Sequence, residues 1–186
     1  MLKKLGSFLL IIFMLVCVWV IFNIETLSKK YIYPIRYSEY VEKAAYETGI
    51  DKYLIYSVIK TESKFEEKAV SDVGARGLMQ LMEDAFEWVN FRMDDKRDIV
   101  YDDMFNAEYN IEYGSYLIKL LYEEYGDKKT ALAAYHAGRG CVNNWLKETE
   151  YSSDGKKLEK IPSSTTEHYV NKVMTAYEGY TNLYEK

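Results

Sequence analysis

The sequence predicts a mainly α-helical globular domain preceded by an N-terminal transmembrane helix. Three observations predict it. From about Ser38 onward, apolar residues recur at three- and four-residue spacing and nowhere alternate over a sustained run. Proline, which interrupts helices, occurs only 2 times in 186 residues. The N-terminus holds an unbroken apolar stretch of about 20 residues, the helix length that crosses a hydrocarbon core of roughly 30 Å.

Residues 1–24 form the membrane segment. Lys3 and Lys4 precede the apolar run, which continues through Phe22, and no charge falls between Lys4 and Glu25. Positive residues ahead of the run place the N-terminus in the cytoplasm and the bulk of the chain outside. A cleaved signal peptide has a shorter apolar core followed by a small-x-small site, and none stands in residues 16–25. Cys17 follows Val16, not the small residue that lipoprotein processing needs. The expectation is an uncleaved, single-pass anchor in the cell membrane. Residues 25–36, with Lys29, Lys30 and Pro34, read as a short tether that holds the domain close to the membrane, Tyr31 and Tyr33 lying at the domain edge.

Residues 37–186 read as one domain, a size that can bury a real core. Ser38 caps a helix to about Thr48 with Val41, Ala44 and Ala45 inward, and Gly49 stops it. Asp51 caps the next, over residues 51–64. Residues 66–77 are a loop with Gly74 and Gly77, with room for a short hairpin. Residues 78–91 contain another helix (Leu81, Met82, Phe86, Trp88, Val89), and 92–105 are charged and irregular. Asn106 caps a long helix to Tyr125, with Ile111, Leu117, Ile118 and Leu121 on one side and Gly126 as its stop. Asp127 starts a shorter helix over 129–137. Residues 141–147 look helical, 151–164 are a polar loop, and Thr165 or Thr166 caps a last helix with Tyr169, Val170, Val173, Met174 and Tyr177 inward.

Composition narrows the function. With 48% hydrophobic and 28% charged residues a folded part is expected, and the net charge is −5. Without Lys3 and Lys4 the remainder is more negative still, and no basic run or patch appears, so nucleic acid is not expected as a partner. The 2 cysteines, Cys17 in the apolar run and Cys141 in the domain, give no disulfide framework and no metal spacing, and Cys141 reads as a small buried hydrophobe. No metal or organic cofactor is expected. The 19 tyrosines suit a carbohydrate or peptide groove, but they also fill cores.

The stretch with chemistry in it is Val58-Ile59-Lys60-Thr61-Glu62-Ser63. Ile55, Val58, Ile59 and Glu62 fall on one helical face, so Glu62 continues an apolar stripe. Burial favours the neutral carboxylic acid and raises its pKa, which is what a general acid at neutral pH requires. A helix-end glutamate turned to solvent is the plainer alternative for this helix taken alone.

Four motifs follow in order: Glu62-Ser63, Ser71-Asp72-Val73-Gly74-Ala75-Arg76-Gly77-Leu78-Met79-Gln80-Leu81-Met82, Ala134-Tyr135-His136-Ala137-Gly138, and Tyr169-Val170. Together, over about residues 35–180, they resemble the catalytic domain of the soluble lytic transglycosylase family, whose lysozyme-like α fold is related to goose-type lysozyme. The resemblance implies cleavage of the β-1,4 bond between MurNAc and GlcNAc in peptidoglycan strands. It implies Glu62 as the single catalytic acid/base. It also implies substrate contacts from Ser71 and Gln80, an apolar wall from Met82, and a Tyr135 hydroxyl near Glu62 that orients it. Ser63, Met79, His136 and Tyr169 are further candidates for binding or support. Read alone, Ser71 is a capped turn, the two methionines are core and Tyr135 is a core tyrosine. Asp72 and Glu66, the nearby acids, read as solvated loop charges.

The sequence departs from the family at three places. His136 stands where Asn is usual, Glu83 where Pro is frequent, and Thr165-Thr166-Glu167 where relatives have Glu-Thr-Arg, so the acid carried there is missing. The expected function is a membrane-anchored, extracytoplasmic lytic transglycosylase leaving 1,6-anhydro-MurNAc ends. It would serve growth, division or an envelope-spanning machine, with protein partners unnamed. The alternatives are a muramidase hydrolase on the same fold and a non-catalytic peptidoglycan-binding scaffold.

Overall fold

Helix follows helix along the chain in the computed structural model, which describes residues 2–93 and 96–185. The helices are α1 (Leu2–Leu27), α2 (Ser38–Thr48), α3 (Lys52–Glu62), α4 (Glu83–Met93), α5 (Ala107–Tyr125), α6 (Lys128–Ala137), α7 (Arg139–Trp145) and α8 (Ser164–Tyr184). A π-helical turn, Ser28–Ile32, extends α1, and a 3-10 turn, Tyr101–Phe105, leads into α5. Among the described residues the only β-pairing is two isolated antiparallel bridges, Val70 with Arg76 and Arg76 with Leu81. They give the expected hairpin in residual form.

The caps largely fall where side-chain chemistry puts them. The Asp51 carboxylate accepts from the Tyr53 amide at 2.8 Å, and its second oxygen accepts from the Tyr177 hydroxyl at 2.6 Å, tying α3 to α8. Asn106 and Asp127 cap α5 and α6, and Gly49 and Gly126 end α2 and α5 in the left-handed region that glycine enters freely. Several boundaries differ from expectation. α3 stops at Glu62 because Lys64 and Phe65 take positive φ. Residues 78–82 belong to the loop, and α4 starts at Glu83, whose neighbour Asp84 adds a second acid to the first turn, favoured by the helix dipole. Ser163 caps α8, accepting from the Thr166 amide, two to three residues before the expected cap. α7 begins at Arg139. Cys141 is exposed and not a buried hydrophobe, because it falls on the outer side of the short α7, whose buried residue is Val142.

α5 is the central helix, with Asn110, Ile111, Tyr113, Gly114, Ser115, Leu117, Ile118, Leu120 and Leu121 all buried. α2 and α6 pack against it, and α3 pairs most extensively with α8. α3 is more enclosed than a one-sided stripe implies: all seven residues Tyr53–Ile59 are buried. A stack of Tyr53, Tyr56, Tyr180 and Tyr184 fills the α3–α8 seam, with ring centroids 5.5–6.5 Å apart.

The described residues include one helix long and apolar enough to cross a membrane, spanning Leu9–Ile32 when the π-helical turn is included. Its exit is docked. A Cβ on Gly179 would fall inside the Tyr33 ring, which packs edge-on to Tyr180 at 5.2 Å. The Tyr184 hydroxyl donates to the Tyr33 carbonyl at 2.8 Å and the Tyr180 hydroxyl to the Pro34 carbonyl at 3.0 Å. Lys29 lies over the Tyr184 ring. The segment expected to be a tether is therefore helical to Ile32 and then bound to α8; Tyr31, by contrast, is exposed.

Candidate active site

Glu62 is the last residue of α3, and burial lifts its carboxyl from the ordinary 4.5 to about 7. Two neighbours on α8 oppose the rise, the Tyr169 hydroxyl by hydrogen bonding and the Lys172 ammonium by its charge. Tyr169 is buried, and its hydroxyl has no partner of ordinary hydrogen-bond geometry, so it lies against the carboxyl without a well-formed bond. Burial dominates, and the site holds a carboxylic acid that is about half protonated at neutral pH.

Tyr135, on α6, is close enough for the Glu62 charge to raise its pKa further, although burial is the larger cause. Its hydroxyl does not hold Glu62. It donates instead to the Met79 carbonyl at 2.7 Å. Tyr169 is the phenol placed against the acid.

A cleft of about 480 Å³ opens beside this group, lined by Met82, Trp88, Tyr135, His136 and Arg139 among others. Glu62 does not line it, and the two meet at Tyr135. Arg139 forms a bidentate pair with Glu124 at 2.7 and 3.1 Å and lies over the Trp88 ring at 4.3 Å, so that an indole is held at the wall. Met82 is exposed at 39%, which suits a wall and not a core position. Sequence reasoning passed over the Trp88–Arg139 pair: Trp88 sat in an apolar run and Arg139 beside a glycine, with no local signal joining them.

The remaining candidates divide. Met79 is fully buried and contributes its backbone: its amide donates to Asn110 Oδ1 at 2.7 Å and its carbonyl accepts from Tyr135. The Ser71 hydroxyl accepts from the Ala75 amide at 3.0 Å, a capped turn. Gln80 sits at positive φ and gives both amide hydrogens to backbone, the Ala69 carbonyl at 3.1 Å and the Gly77 carbonyl at 2.9 Å, which leaves its side-chain oxygen as the acceptor it can present. Ser63 caps α3, its hydroxyl donating to the Ile59 carbonyl and accepting from the Phe65 amide. Asp72 and Glu66 are exposed.

Asn110, buried and unremarked in the sequence, pins the loop. Besides holding Met79 it donates to the Arg76 carbonyl at 3.0 Å and the Met104 carbonyl at 2.9 Å. A Cβ on Gly77 would collide with Asn110 and Met104, and one on Gly114 with Met79, so both glycines permit this close approach.

Two departures from the family pattern meet in space. The His136 ring stacks on Tyr169 with centroids 4.5 Å apart, and its Nδ1 lies 3.2 Å from the Thr166 hydroxyl. Burial lowers the His136 pKa, favouring the neutral ring. Thr165 and Glu167 are exposed. Among the described residues no group of three or more His, Cys, Asp or Glu is placed to hold a metal ion.

Residues 39–158 match the family described as the Transglycosylase SLT domain. A soluble lytic murein transglycosylase from Salmonella typhimurium is 32% identical over 152 residues, covering 80% of this chain and 23% of that protein. A membrane-bound lytic murein transglycosylase C from Photorhabdus laumondii is 28% identical over 171 residues, covering 78% of this chain and 46% of that protein. The solved lytic transglycosylase Slt of Pseudomonas aeruginosa superposes with a TM-score of 0.71 at 28% identity, over 81% of this chain and 24% of that one. The chain thus spans from under a quarter to under half the length of these relatives. With the family matched over most of the domain and the helical architecture shared, the chain belongs to the Transglycosylase SLT domain family.

Proposed function

We propose that the protein is a peptidoglycan lytic transglycosylase in which Glu62 is the single general acid/base. The observation that carries the reading is a partly buried acid with a pKa of about 7 at the end of α3, beside a cleft lined by an indole, a thioether and two other rings. Cleaving a glycosidic bond requires a proton on the leaving oxygen, and a half-protonated carboxylic acid supplies it. A hydrolase on this fold would need a second carboxylate as nucleophile or base. Asp84, which lines the cleft, is exposed, as are Asp72 and Glu66, and this favours the route that needs none. In that route Glu62 gives its proton to the glycosidic oxygen, and the C1–O bond breaks. The carboxylate then takes the proton of the muramic acid 6-hydroxyl as that oxygen bonds to C1. Glu62 ends as it began, the product is a 1,6-anhydro ring, and no water is consumed. Holding both reacting groups on one sugar supplies the effective concentration that an external water lacks.

Tyr169 orients the carboxyl and lowers the cost of its charged form midway through the reaction, while Trp88, Met82 and His136 form the sugar-facing wall. Ser71, Gln80 and Met79 act mainly through the loop they build, the Gln80 oxygen facing an N-acetyl group. With α1 as a single-pass anchor, N-terminus in the cytoplasm, the domain works outside the cell membrane on wall near its own surface.

The test is mass spectrometry of the products released from purified peptidoglycan by the full chain in detergent, with Glu62→Gln as control. The expected result is muropeptides one water lighter than hydrolysis products, absent with the control. Ordinary reducing ends would make the protein a muramidase. Retained glycan binding without products would make it a scaffold.

A further inference from the structure

The His136 ring is fixed on two sides. Its face stacks on Tyr169, with centroids 4.5 Å apart and planes 28° from parallel, and its Nδ1 lies 3.2 Å from Thr166 Oγ1. Thr166 decides which ring nitrogen carries the hydrogen. Its hydroxyl donates to Ser163 Oγ at 3.1 Å, and its amide donates to the same oxygen at 3.3 Å, both within the cap of α8. A hydroxyl has a single hydrogen to give. With that hydrogen on Ser163, Thr166 Oγ1 can only accept from His136, so the ring hydrogen is assigned to Nδ1 by elimination. In the neutral ring the other nitrogen, Nε2, is then bare and can only accept. Thr166 is 2% exposed, so the arrangement is held from the protein side.

Nε2 lies on the ring edge away from Thr166. His136 is exposed where it lines the cleft, and among the described residues its Nε2 has no hydrogen-bond partner. The polar side chains beside it are differently placed. Arg139 is engaged by Glu124 and the Tyr135 hydroxyl by the Met79 carbonyl, while Asp84 is a charged, exposed acceptor. The titratable groups around the ring are Tyr169 on α8, Tyr135 on its own helix, Asp84 on α4 and Arg139 on α7, with Glu62 beyond Tyr169. Burial is what moves the His136 pKa, downward from 6.5, so the ring is mostly neutral at pH 7. A glycan strand is rich in donors, its hydroxyls and acetamido N–H groups. An acceptor already held in place meets one of them without the cost of ordering a side chain.

We propose that His136 is a substrate-binding residue whose Nε2 accepts a hydrogen bond from a hydroxyl or acetamido N–H of the sugar in the cleft, and that it does so only while the ring is neutral; the proposal rests on the peptidoglycan reading above. A protonated ring carries a hydrogen on each nitrogen and offers no acceptor. Tyr169 meets both the Glu62 carboxyl and the His136 ring, so this acceptor stands one residue away from the acid.

The test uses the full chain in detergent, in the Glu62→Gln background so that no bond is cut, with chitotetraose, the β-1,4-linked N-acetylglucosamine tetramer, as probe. Nitrogen-15 spectra of the 2 histidines, assigned with His168→Gln, should show Nδ1 protonated and Nε2 bare on His136 in the free chain. Chitotetraose should move that Nε2 resonance. By calorimetry at pH 7.5, His136→Asn, whose amide can replace Nδ1 but not Nε2, should weaken binding about fivefold, as for a lost neutral hydrogen bond. His136→Gln, whose amide oxygen reaches the Nε2 position, should recover most of it. As pH is lowered, binding should weaken in step with protonation of the ring read in the same spectra, and the step should be missing in His136→Asn. The opposite tautomer, an unmoved Nε2 resonance, equal binding by the Asn and Gln variants, or binding indifferent to ring protonation overturns the proposal. A chain with Glu62 intact that releases no products from peptidoglycan overturns the transglycosylase reading instead, and the titrations still decide the role of His136.

Discussion

The Tyr135 hydroxyl donates to the Met79 carbonyl at 2.7 Å, joining α6 to the loop between α3 and α4. The bond is partly buried, and Met79 is held from the other side by Asn110. Tyr135 thus braces the loop rather than the acid. Tyr135→Phe leaves a buried carbonyl unpaired, a loss of about 1–3 kcal/mol. We expect a lower Tm and a reduced rate. The pKa of the alkaline limb should stay unchanged in a pH–rate profile, because the lost hydrogen bond is not made to Glu62.

Tyr169→Phe should behave differently. The groups facing the Glu62 carboxyl are Tyr169 and Lys172 on α8 and Tyr135 on α6. Tyr169 favours the charged form, so removing its hydroxyl raises the Glu62 pKa above about 7. The alkaline limb of kcat/KM should move to higher pH while the plateau falls about tenfold or more, as for loss of a group that stabilises a charge formed during the reaction. A plateau loss with no shift would mean that the hydroxyl acts on the substrate and not on the acid.

The wild-type profile follows from the same shift. In the proposed reaction Glu62 must be protonated to act first, so the rate should fall as pH rises through about 7. Stability moves with it. The folded pKa lies above the ordinary 4.5, so the group costs nothing below pH 4.5, an increasing amount between 4.5 and about 7, and its full cost above. Allowing for partial exposure, that cost is about 1–3 kcal/mol. Glu62→Gln should therefore be inactive yet melt higher than wild type at pH 8, with the difference vanishing at pH 4. Calorimetric Tm values at the two pH values check it.

At the anchor junction, Gly179→Leu cannot coexist with the Tyr33 ring in its place. The variant should release the segment from α8 and lower Tm. Adding Tyr33→Ala should recover part of the loss, because the clash is then gone. A double-mutant cycle showing independent effects would mean the two residues do not meet.

Much of this was legible in the chain. Glu62 stood out because an acid continues an apolar stripe, and Asp51, Asn106 and Asp127 were found because caps are local chemistry. What escaped depends on distance in sequence. Asn110 looks like any polar residue in a helix, and nothing near it announces that it holds Arg76, Met79 and Met104. The hydroxyl of Tyr135 could be assigned to the wrong partner because either acceptor fits the motif, and only the fold decides between them. The loop took over residues 78–82 despite their apolar character, since Leu78, Met79 and Leu81 are buried as irregular backbone pinned by one side chain.

The docked exit of α1 bears on where such a molecule can work. A flexible leash would let the domain sweep a hemisphere and sample wall at many heights. Here the helix runs into a clasp in which Tyr33 meets Tyr180, Tyr184 and Gly179 of α8, so the domain stands on its anchor like a lamp on a post. With α1 in a bilayer, the acid sits at one altitude above the lipid. If the proposed activity holds, glycan comes within reach only when it lies at that level, and lateral diffusion, not swinging, would bring new strands to it.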